Sequence, residues 1–89
     1  MVYLRDPEKQ GRIKSWLEFI ELFTEAEQLA IVTATMSDPA VKLWYDKAQG
    51  ANYIDLDDQR VIDGFQALID RELLTTVRRD RVLAGLAPA

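Results

Sequence analysis

An all-α domain, a compact bundle of about five short helices closing in a helix-turn-helix-like hairpin, is the fold class this sequence predicts. Three observations predict it. Val61, Ile62, Phe65, Leu68 and Ile69 recur at helical spacing and put one apolar face on a helix. Helix-start signals separate such runs, at Thr24-Glu25-Ala26-Glu27, Ser37-Asp38-Pro39 and Asp57-Asp58. The chain has 89 residues, 48% of them apolar, which makes one domain with a modest core. That domain is expected to span 1–89, with 1–6 and 87–89 frayed.

Asp6-Pro7-Glu8 reads as a first helix start, weakened by Gly11, so the continuous helix is expected from Arg12. Ile13, Trp16, Leu17, Ile20 and Phe23 form its apolar face, and Lys14 can pair with Glu18 four residues on. The second helix follows the Thr24/Glu27 capping box and runs to Met36. Its β-branched content would also suit a strand, but the cap and the Ser37-Asp38-Pro39 break favour a helix. With little polar surface, it is expected to be the most buried element or to face a partner.

The third helix carries Val41, Trp44, Tyr45 and Ala48, with Gly50 as its stop. Ala51-Asn52-Tyr53 is a loop. Ile54 and Leu56 alternate with Asp55 and Asp57, an extended piece with both apolar residues on one side. The fourth helix contains Gly64, which costs about 1 kcal/mol against alanine and so predicts a close helix–helix approach. Leu73-Leu74 forms the turn. Thr75 caps the fifth helix, which presents Val77, Val82, Leu83 and Leu86 and ends at Gly85.

The absence of cysteine removes disulfides and thiolate chemistry, and the absence of histidine removes the commonest general base and transition-metal ligand. No apolar run is long enough to span a bilayer, and Met1 to Asp6 show no secretory apolar core. A soluble, intracellular protein is the expectation. The net charge of −4 disfavours nucleic acid unless basic residues segregate on one face.

Asp55, Asp57 and Asp58 resemble a metal loop only in part. Counted from Asp55, an EF-hand loop needs glycine and glutamate where this chain has Arg60 and Gln66, so capping explains the cluster better. Arg78, Arg79 and Arg81 are the residues a DNA-binding hairpin would use. Interleaved Glu72 and Asp80 favour pairing and helix-dipole roles instead. Tyr45 and Tyr53 are the aromatics best placed for surface contact, whereas Trp16 and Trp44 read as core. The carboxylate pairs Glu18/Glu21 and Glu25/Glu27 read as solvated faces.

The segments Val41–Ala48, Ala51–Asp58, Gly64–Leu68 and Leu73-Leu74-Thr75 together resemble small proteins encoded in bacteriophages and prophages, commonly products of structural or tail-region genes. The likeness covers the carboxy-terminal half. It implies a phage-derived origin and a protein-contact role, and it transfers no catalytic residue. Where many such proteins have glycine before the double leucine, this chain has Arg71-Glu72. The resulting expectation is a non-enzymatic interaction module acting through Tyr45, Tyr53, Asp55 and Asp57. Its partners are proteins, self-association included. No cofactor, metal, membrane or small-molecule substrate is expected. A phage-encoded regulator of a host protein, or a small DNA-binding protein, is the alternative.

Overall fold

The computed structural model describes residues 11–88. The Asp6-Pro7-Glu8 start signal and the first six residues lie outside that range, as does Ala89. Five helices and one short two-stranded sheet follow in the order β1 (Ile13–Lys14), α1 (Trp16–Ile20), α2 (Glu25–Thr35), α3 (Pro39–Gly50), β2 (Ile54–Asp55), α4 (Gln59–Asp70) and α5 (Thr76–Leu83). The all-α class stands, with the sheet as an addition.

The first predicted helix divides in two. Ile13 and Lys14 are extended and pair antiparallel with Asp55 and Ile54, and the Leu56 amide donates to the Arg12 carbonyl at 2.8 Å. The helix begins only after Ser15, whose hydroxyl accepts from the Glu18 amide at 3.1 Å while Glu18 accepts from the Ser15 amide at 2.8 Å. This second capping box is the physical reason for the break. It also rotates the face. Phe19 and Ile20 are buried on α1 and Leu22 in the turn after it, whereas Leu17 is exposed. Lys14 sits on β1, so its spacing to Glu18 does not lie on one helix.

α2 starts where its capping box says, with Thr24 and Glu27 exchanging bonds of 3.1 and 2.8 Å. Asp38 caps α3 by accepting from the Ala40 and Val41 amides, and Pro39 takes the first helical position. Arg71 donates to the same carboxylate, tying the end of α4 to the start of α3. Gly50 proves to be the last residue of α3 rather than a left-handed stop, and the chain leaves the helix by extending at Ala51.

Gly64 behaves as its position predicted. A Cβ there would collide with the indole of Trp44, so the missing side chain is what lets α3 lie against α4.

α4 and α5 end in the same Schellman geometry. Leu73 and Leu86 donate back to the carbonyls of Leu68 and Arg81, and Glu72 and Gly85 donate to Ile69 and Val82. The left-handed residue is Gly85 in one (φ 76°) and Glu72 in the other (φ 60°). Glutamate therefore occupies a backbone position that suits glycine.

The core joins the five helices and β2. Phe19, Phe23 and Phe65 sit in mutual contact, with ring centroids 5.4 to 5.9 Å apart. Ile31, Val41, Leu56, Leu68 and Val82 close around them. Val77, expected on the inner face of the last helix, points to solvent, and Leu86 is also exposed.

Because a β-carbon in the left-handed region costs about 1 kcal/mol, Glu72→Gly is expected to raise unfolding stability by about that amount, measured by urea denaturation. An unchanged or lowered midpoint would show that Glu72 has a compensating role.

Candidate functional site

Among the described residues, exposed apolar side chains gather on two surfaces, while Leu17 and Val77 stand exposed elsewhere. The first is on α2. Ile31 is fully buried and Ala34 packs on the core, whereas Leu29, Val32 and Met36 are 59%, 37% and 80% exposed. These three recur at offsets of three and four, the spacing of one helical face. They stand on the side of α2 away from Ile31. Of the two expectations for α2, most buried element or partner-facing helix, the first is therefore corrected. The helix is apolar on two sides, and neighbours cover one of them.

The second surface is an open groove of about 870 Å³ between α3, the β2 approach and the first turns of α4. Leu43, Trp44 and Tyr53 give it apolar walls, and Asp46, Asp58 and Asp63 lie along it. Trp44 reaches this position because Gly64 leaves room for the indole.

The four residues expected to contact a partner are not gathered at one site. Tyr53 and Asp55 line the groove, while Tyr45 and Asp57 do not. Tyr45 is half-buried and meets Trp16 edge-to-face with centroids 5.1 Å apart. The aspartates shape the chain: an Asp55 carboxylate oxygen accepts from the Asp57 amide at 2.9 Å, Asp57 accepts from Arg12 of the strand approach, and Asp58 caps α4. Among the described residues no group of acids converges as a metal site, and no helix is long and apolar enough to cross a membrane.

The arginines named for DNA contact are also engaged. Arg78 donates to both oxygens of Glu27, at 2.9 and 3.0 Å, and to the Leu22 carbonyl at 2.9 Å. Arg79 pairs with Asp80, and Arg81 donates to the Ala87 carbonyl. The Glu27 and Arg78 side chains are only 15% and 18% exposed, so Glu27 is not part of a solvated face. It caps α2 and holds α5 with the same carboxylate. Burial pushes the Glu27 carboxyl upward, but the bonds from Arg78 and Thr24 outweigh it and hold the group below its ordinary value of 4.5. Neither the α2 stripe nor the Glu27–Arg78 tie was legible beforehand. Leu29, Val32 and Met36 do keep helical spacing, but nothing local says which side of so apolar a helix is covered.

Truncating the inner side of α2 should matter and altering the outer side should not. Ile31→Ala is expected to cost about 2–4 kcal/mol, and Leu29→Gln with Met36→Gln within about 0.5 kcal/mol, both read by denaturant unfolding. Equal losses would place the stripe in the core.

The Glu27–Arg78 pair predicts a pH effect. A carboxyl lowered in the folded state stabilises the fold above pH 4.5, and that contribution disappears as the pH falls through the folded value. Glu27→Gln should cost about 1–3 kcal/mol at neutral pH and flatten the acid limb of a stability–pH profile. An unchanged acid limb would assign the acid loss to other groups.

Comparison of the chain with protein-family models, curated proteins and solved structures finds no match.

Proposed function

We propose that this chain is a non-enzymatic protein-contact module of bacteriophage or prophage origin, a structural or assembly component of the virion or tail. The observation that carries the reading is the uncovered stripe of Leu29, Val32 and Met36 on α2. Apolar side chains at helical spacing are what helix-mediated recognition uses, and a stripe left in water favours association. The lack of histidine and cysteine supports a role without acid–base or nucleophilic chemistry. A regulator that grips a host protein would use the same stripe, so the two readings differ in partner rather than in surface. The tying of Arg78 to Glu27 argues against the DNA-binding alternative, because a paired, half-buried guanidinium is a poor phosphate ligand.

The test is site-specific photocrosslinking in the cell that naturally produces the chain, from position 36 and from the exposed control position Asp70 on α4. A discrete protein adduct from position 36 alone is expected. A particle protein in that adduct supports the assembly role, and a host enzyme supports the regulator instead. Equal labelling from both positions, or none, overturns the protein-contact reading.

A further inference from the structure

The groove between α3 and α4 has a chemistry that the α2 stripe lacks. Leu43 and Tyr53 stand 55% and 53% exposed on it, flanking Trp44. Four carboxylates, Asp46, Asp55, Asp58 and Asp63, line it against two cations, Lys47 and Arg60. Arg60 is already bound to Asp58 at 2.8 Å. Asp46 is held by Lys42, one turn back on α3. Among the described residues, Asp63 is held by the neutral amide of Gln59, at 2.8 Å. The chain as a whole carries a charge of −4, so the field around the groove has the same sign as its excess of acids.

We propose that this groove docks a short cationic segment of a protein partner, with an aliphatic or aromatic anchor lying between Leu43 and Tyr53 over Trp44 and with Lys or Arg residues beside Asp46 and Asp63. The choice of occupant follows from charge. A nucleic acid or an acidic segment is repelled, and a purely apolar occupant strips water from carboxylates without replacing it. Apolar walls exclude water and strengthen the attraction of a cation for the rim. The inference rests on the protein-contact reading only in taking a protein as the occupant. The surface is different, since no α2 residue lines the groove.

The test is chemical-shift mapping of the ¹⁵N-labelled full chain with two synthetic peptides. One is a short peptide of Lys, Leu, Phe and Ala, and the other is the same peptide with every Lys replaced by Glu. The basic peptide is expected to give saturable shifts at Leu43, Tyr53 and the Trp44 indole, weakening as salt is raised, while Leu29, Val32 and Met36 stay still. The acidic peptide is expected to give none. Asp46→Lys with Asp63→Lys, both exposed positions, should weaken binding about tenfold or more, with the rest of the spectrum unchanged. Equal response to both peptides, or no saturable shift at low salt, overturns the proposal. Shifts confined to α2 overturn it too while leaving the protein-contact reading intact; that reading fails separately, in the photocrosslinking experiment.

Discussion

The contact among Phe19, Phe23 and Phe65 is the constraint on which the other elements depend. A domain this small buries a limited fraction of its surface, so a few large side chains supply much of the driving force. Three rings meeting from α1, the turn after it and α4 set where those segments cross. β1 and β2 are too short to hold themselves together. Their pairing persists because Ile54 and Leu56 belong to the same cluster and Ile13 is buried on β1. Ile31, Val41 and Val82 then bring α2, α3 and α5 onto it.

Around that centre the polar residues mostly do local work. Ser15 and Glu18, Thr24 and Glu27, Asp38, Asp58 and Thr75 each satisfy amides at a helix start. Two of these acids also make long-range ties, Glu27 to Arg78 and Asp38 to Arg71. Using one carboxylate for a cap and an ion pair fixes helix direction and helix docking together. It also takes Arg78 away from the surface chemistry that a basic hairpin suggests in isolation.

α2 packs by Ile31 and Ala34, and among the described residues Leu29, Val32 and Met36 stay exposed. α3 and α4 approach closely at Trp44 and Gly64, and the groove lies along that approach. One surface is a plain apolar stripe, and the other is an apolar groove edged with acids. The difference in charge is what distinguishes the partners they suit.

Local chemistry determined most of the helix starts. Thr24 with Glu27, Asp38 with Pro39, Asp58 and Thr75 cap helices because a side-chain oxygen within two or three residues of a free amide needs no distant contact to act. The stop at Gly85 and the close approach at Gly64 were readable for the same reason, since a residue without a Cβ marks the geometry it permits. Tertiary structure decided the rest. Ser15 with Glu18 starts α1 locally, but Ile13 and Lys14 pair as a strand only because Asp55 and Ile54 meet them, Leu74 reaches the core just after the left-handed Glu72, and the described neighbours of α2 cover only one of its apolar sides. Each of those outcomes depends on which surfaces meet, and that is a property of the assembled chain rather than of any short stretch of it.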